Sequence, residues 1–261
     1  MPVLLRKPVR RLTQAEFGEL AYSVMACVFK MHAEMGRFFD EKIYKRELSY
    51  RHRGVELEVP IEVKYESFTK TLYMDVLVDS GGPFEFKTVA ATVPRHSSQL
   101  LQYMLLSELG HGKLVNLRKE SVEHEFVNTT LTLDDRRYFK IEHSNWNDKI
   151  TGANFFECQL TGLLRDWGTG LETELYQEAI TSLVLAEGGG LEDVDIRASE
   201  RTLGHQTVHM AAPGVAFALT SLPKWNAEYE SHLQRFRRYT TLNAILWANI
   251  SLKKVTFTTI R

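Results

Sequence analysis

Leu72-Tyr73-Met74-Asp75-Val76-Leu77-Val78 is followed, across Ser80-Gly81-Gly82-Pro83, by Phe84-Glu85-Phe86-Lys87-Thr88-Val89. Both segments are short apolar runs bounded by turn residues, which predicts two β-strands joined by a bend. Two strands meeting in this way can bring Asp75 and Glu85 together, with Lys87 beside them. The charges interrupt a core-like pattern, so their presence asks for a chemical reason.

Working outward from this hairpin, Phe17, Leu20, Ala21, Val24, Val28 and Met31 repeat at a spacing of three to four and predict a helix over 14–35. A second helix is expected over 40–53, with Gly54 as its C-cap. Strands are expected at 59–65, 72–78 and 84–89, then a helix from Pro94 to Leu109, then strands at 113–117 and 125–133. The order α-α-β-β-β-α-β-β predicts an α/β domain with a mixed sheet over residues 1–133. The polar stretch 134–154 reads as a linker to a second domain at 155–261.

The second half repeats the first. Ile43-Tyr44…Leu48 matches Leu175-Tyr176…Ile180, and Val59-x-Ile61 matches Val194-x-Ile196. Phe84–Lys87 matches Phe217-Ala218-Leu219-Thr220. His96…Gln99…Tyr103 matches His232…Arg235…Tyr239, and Asn116-Leu117 matches Asn249-Ile250. Offsets of 132, 135, 133, 136 and 133 in one order point to an internal duplication. The copy keeps apolar positions and drops charged ones: Ala218 replaces Glu85, Thr220 replaces Lys87, and Asp75 falls near Met210-Ala211. Packed together, the halves would make a monomer that imitates a dimer.

With 44% hydrophobic and 25% charged residues, the chain has an ordinary globular composition. Its formal net charge of −1 excludes a broadly basic nucleic-acid binder, so any such surface is local. Arg6-Lys7…Arg10-Arg11 and Arg235…Arg237-Arg238 are the candidates, against the plain alternative of solvated charge. Cys27 and Cys158 lie in apolar helical contexts and are expected as core thiols of a reducing, cytoplasmic compartment. No apolar run is long enough for a membrane span, and the start lacks the apolar stretch of a secretory leader.

Two carboxylates and a lysine on adjacent strands suit a hard divalent cation, which takes oxygen ligands. Asp75 and Glu85 would ligate Mg²⁺ or Mn²⁺, with the carbonyl of Phe86 as a further oxygen. Lys87 would then either orient or deprotonate an attacking water, or stabilise charge building on a phosphate. Gln99 and Tyr103, four apart on one helix face, stand next to this group in sequence.

These residues carry a resemblance. The first 130 residues look like the GxxExxY protein family, a branch of the PD-(D/E)xK nuclease superfamily. Glu41-x-x-Tyr44 fits the name motif, with Phe38 at its glycine position and Gly36 nearby. Asp75, Glu85 and Lys87 fit the superfamily signature, and Gln99-x-x-x-Tyr103 fits the following helix of RecB-type exonucleases. The resemblance implies two restriction-endonuclease-like domains in tandem, the second a degenerate copy. It implies a metal-dependent nuclease acting on DNA or RNA, with Glu41 a further acid near the metal. Gln99 and Tyr103 would line the site or touch substrate. Gly168-Thr169-Gly170 with Tyr176 is an echo of the name motif in the copy, where Arg235 and Arg238 would suit phosphate contact. The superfamily also has members without nuclease activity, so a non-catalytic binding or interaction module on the same fold is the alternative.

Other features carry less. His205-x-x-x-His209 has helical metal spacing but falls in an expected strand, and Gly188-Gly189-Gly190 lacks the lysine of a phosphate loop. His96 has a counterpart in His232, in the half without ligands, which favours a structural role.

Overall fold

A computed structural model describes residues 3–5, 8–223 and 227–261. Arg6 and Lys7 of the first basic cluster lie outside the described residues. Arg10 and Arg11 pair at the surface with Glu16 and Glu108, at 3.5 and 2.8 Å. The chain divides into two units, residues 1–64 with 69–133, and residues 65–68 with 134–261.

In the first unit, β1 (Val3–Leu5) precedes two helices, α1 (Gln14–Met35) and α2 (Glu41–Arg51). Thr13 starts α1 with a capping box: its hydroxyl accepts from Glu16 N–H, and the Glu16 carboxylate accepts from Thr13 N–H. His52, in extended conformation, caps α2, and Gly54 lies beyond it in the turn (φ 79°), so the expected glycine cap is displaced by two residues. Strands β2 (Val55–Tyr65), β3 (Phe68–Val78) and β4 (Gly82–Lys87) follow, then α3 (Pro94–Ser107), β5 (His111–Asn116) and β6 (Glu123–Asn128). The sheet order is β1-β2-β3-β4-β5-β6. β4 and β5 run parallel, with α3 as their crossover, and β3/β4 and β5/β6 are antiparallel. Phe17, Val24, Val28 and Met31 of α1, with Tyr44 and Leu48 of α2, bury their apolar stripe on Val76, Val78, Phe84 and Phe86.

Residues expected as a linker are structural instead. They hold α4 (Leu133–Arg137) and β7 (Lys140–Ser144), which pairs in parallel with the last strand of the chain. Arg136 is buried and donates to the carbonyls of Trp167 and Thr169. The polar composition that reads as a linker is thus an edge strand plus a buried guanidinium, whose Nη1 is held by two backbone oxygens.

The second unit continues with α5 (Ala153–Trp167), α6 (Thr173–Leu183), β8 (Gly190–Ala198), β9 (Arg201–Ala212), β10 (Val215–Thr220), α7 (Ala227–Arg238), β11 (Ala244–Ser251) and β12 (Lys254–Ile260). Its sheet order is β7-β12-β11-β10-β9-β8. The run β8-β9-β10-β11-β12 reproduces β2-β3-β4-β5-β6, with the parallel pair in the same place. Phe84 faces Lys113 and Lys87 faces Asn116; in the copy Phe217 faces Leu246 and Thr220 faces Asn249, an offset of 133 on both strands. Gly36 and Gly168 share φ 78°, and each offers its carbonyl to a tyrosine eight residues on, Tyr44 at 2.6 Å and Tyr176 at 2.5 Å. The protein is therefore α/β, with two mixed six-stranded sheets that share the order of five strands. The two units differ in the sixth strand: β1 extends the sheet beyond β2, whereas β7 extends it beyond β12.

Both cysteines are free, but only Cys27 is partly buried. Cys158 is exposed on α5, which corrects its expected core position. Among the described residues no helix is long and apolar enough to cross a membrane.

Candidate active site

The β3/β4 ladder pairs Val78 with Gly82, Leu77 with Pro83 and Val76 with Phe84. One step further, where Asp75 would face Glu85, a side chain takes over from the backbone. Phe86 N–H donates to Asp75 Oδ2 at 3.2 Å. Side chains alternate along β4, so Phe84 and Phe86 join the core under α1 and α2 while Glu85 and Lys87 leave it. Asp75 and Glu85 are nonetheless buried, at 8% and 0% exposure.

Lys87 Nζ donates to Glu85 Oε1 at 2.5 Å and approaches Glu41 Oε2 at 4.0 Å. Glu41 is the first residue of α2, where an acid is favoured by the helix dipole. Glu41, Asp75, Glu85 and Lys87 thus come together. The second oxygen of Glu85 is buried without a hydrogen-bond partner.

Lys45 completes the cluster and was not foreseen. It lies one helical turn after Glu41, almost fully buried. Its Nζ is 3.0 Å from Asp75 Oδ1 and 3.4 Å from Glu41 Oε1, and it also donates to Glu58. Glu58 reaches it from β2 with a left-handed backbone (φ 50°), a conformation costly for a side-chain-bearing residue. The available signal was the Glu41/Lys45 spacing together with Gln177 at the matching place in the copy.

Burial pushes the Glu85 carboxyl up to about 8, aided by the charge of Asp75 and opposed by Lys87. Burial and Asp75 also raise Glu41. Burial pulls the Lys87 ammonium down, but Glu85, Glu41 and Asp75 outweigh it and the net shift is upward. The same balance raises Lys45, through Glu58 and Asp75.

Among the described residues no three His, Cys, Asp or Glu side chains form a ready metal cage. The cluster instead interleaves four carboxylates, Glu41, Glu58, Asp75 and Glu85, with two ammonium groups, Lys45 and Lys87. Fully ionised, it carries two surplus negative charges and one orphaned buried oxygen. That donor set suits a hard divalent cation.

Gln99 and Tyr103 both lie on α3, joined by a 3.0 Å bond from Gln99 Nε2 to the Tyr103 hydroxyl. His96 accepts from Val93 N–H at the start of this helix, a structural bond, and lies within the field of Lys87. Arg235 and Arg238 are exposed on α7 of the second unit and belong to no such cluster.

In the copy, Ala216 pairs with Met210, so Val208 occupies the register of Asp75, rather than Met210-Ala211. Thr173, Gln177, Val208, Ala218 and Thr220 replace Glu41, Lys45, Asp75, Glu85 and Lys87. Thr220 is tied internally, accepting from Trp247 Nε1 and donating to Asn249. Val208, Ala218 and Gln177 line a largely apolar cavity of about 400 Å³, with Phe217, Tyr229 and Phe236. His205 and His209 lie in β9, where His205 meets Asp195 and His209 meets Thr181, so they do not converge on a metal.

No curated protein and no solved structure was found to match the chain. Residues 18–128, the span that holds Glu41, Lys45, Asp75, Glu85, Lys87 and Tyr103, match the family model of the PD-(D/E)XK nuclease superfamily.

Proposed function

We propose that the chain is a metal-dependent nuclease of the GxxExxY type, acting through its first domain on phosphodiester bonds of nucleic acid. The observation that carries this reading is the meeting of Asp75, Glu85 and Lys87 at the end of the β3/β4 ladder, with Glu85 Oε2 buried and partnerless. Asp75, Glu85 and the carbonyl of Phe86 would hold Mg²⁺ or Mn²⁺. When bound, such an ion polarises the scissile phosphate and lowers the pKa of a bound water.

The chain's own groups supply the rest. Without metal, three carboxylates hold the Lys87 ammonium above its ordinary value; in the loaded site Lys87 would stabilise charge on the phosphate or orient the attacking water. Its bond to Glu85 aims that charge at the place where a phosphate would gain negative charge. Glu41 holds Lys45 and Lys87 from the other side. Gln99 and Tyr103 on α3 would contact substrate. The second domain would act as scaffold or substrate holder, with Arg235 and Arg238 on phosphates.

The test is incubation with single- and double-stranded DNA and RNA, with Mg²⁺, Mn²⁺ or chelator. Metal-dependent cleavage that is lost in Asp75→Asn supports the reading; absence of cleavage from every substrate overturns it. One observation favours a binding module instead: Lys45 already occupies Asp75 Oδ1. Salt-dependent binding to one of the same nucleic acids, with no cleavage, would identify that case.

A further inference from the structure

Lys45 is the ammonium of the cluster to which neither the strand motif nor the nuclease reading gives a chemical role. It is a buried ammonium with three N–H donors, and three carboxylates surround it: Asp75, Glu41 and Glu58. Two of these, Asp75 and Glu41, also belong to the acidic group that faces Lys87. A buried lysine needs such partners, but a core does not need a lysine. The copy shows this directly. Gln177 stands at the equivalent place on α6, one turn after Thr173, and that helix still packs through Leu175, Tyr176, Ala179 and Ile180. Lysine is therefore dispensable for the helix and was exchanged along with the carboxylates.

We infer that Lys45 is a built-in cation that takes the place of a second metal ion, so that the site binds a single divalent ion. The inference rests on the nuclease reading and specifies its metal stoichiometry. Charge supports it. Four carboxylates against Lys45 and Lys87 leave two negative charges, which one divalent ion neutralises. A second ion would meet a cluster already neutralised and would have to displace an ammonium already bonded to Asp75. Lys45 is thus a positioning residue: it holds Asp75 Oδ1 and Glu41 while leaving Glu85 Oε2 open.

The experiment is calorimetric titration of the whole protein with Mn²⁺. One ion per chain is expected for the native protein and for Lys45→Arg, which keeps the charge. Two ions are expected for Lys45→Gln, which copies Gln177. Two ions on the native protein, or one on a folded Lys45→Gln, would overturn the inference and leave the nuclease reading standing. No bound ion at millimolar Mn²⁺ would sink the metal-dependent reading itself. Should Lys45→Gln fail to fold, the native protein decides alone by electron paramagnetic resonance. An isolated-ion Mn²⁺ spectrum at saturation supports a single ion, and an exchange-coupled pair overturns it. A lysine with a merely structural role would leave the stoichiometry of all three proteins equal.

Discussion

Asn116 grips Val89 by both backbone groups: its Oδ1 accepts from Val89 N–H at 3.2 Å and its Nδ2 donates to the Val89 carbonyl at 2.9 Å. Asn249 holds Leu222 in the same way, at 2.8 and 3.1 Å. The clasp sits just after β4 and β10 and fixes the chain as it leaves the parallel strand pair. Asn116→Ala should cost about 2–3 kcal/mol, since it strands two backbone groups. Asn116→Asp keeps the acceptor but loses the donor and should be destabilising too. Denaturant midpoints at constant slope would check both.

Asp75→Asn and Lys87→Ala should each lower cleavage by a factor of 100 or more, on the order of 3 kcal/mol in the barrier. Both should remain folded by circular dichroism. Turnover near the native rate in both variants would remove these residues from the mechanism.

Without metal, Glu85 holds its proton more tightly when folded than when unfolded, because its folded pKa stands near 8. Its burial is therefore best tolerated below the ordinary value of 4.5, and the penalty grows steadily as pH rises from there to about 8. Stability should fall over that window by at most about 1.4 kcal/mol per pH unit. Glu85→Gln should flatten the decline. Thermal melts in chelator from pH 5 to 9 would show it, and an unchanged slope in the variant would refute the assignment to Glu85.

Tyr176 is fully buried and its hydroxyl both donates to Gly168 O and accepts from Leu171 N–H. Tyr176→Phe should destabilise the second domain by about 1–3 kcal/mol. It should leave Mn²⁺ binding unchanged, because the residues proposed to hold the ion, Asp75 and Glu85, belong to the first domain. A loss of Mn²⁺ affinity in a folded Tyr176→Phe protein would contradict that division.

Much of this architecture was legible because apolar periodicity survives duplication. Phe84/Phe217 and Tyr44/Tyr176 are core positions in both halves, and a constant offset betrays them. Asp75, Glu85 and Lys87 were visible because charges stand out in apolar strands. Lys45 was not, since a lysine on a polar helix looks solvated until the fold buries it against Asp75. β7 was missed for a related reason. Lys140–Ser144 is mostly exposed and polar, and its pairing with β12 makes it a strand. The Val208 register was obscured by the irregularity between Val215 and Ala216 in the β9/β10 pair.

Because β1 and β7 extend opposite ends of equivalent sheets, the two domains end on non-equivalent strands, β6 in one and β8 in the other. Each terminal strand offers unpaired backbone groups, which invite another chain to add on. Both are guarded by acid: Glu123 and Glu125 stand exposed on β6, and Glu192 and Asp193 on β8. Edge-to-edge joining of two molecules in a register that aligns these residues would bring carboxylates against carboxylates. The duplicated sheets thus carry an electrostatic deterrent to aggregation, placed at a different end in each copy, and one that high salt or low pH would weaken.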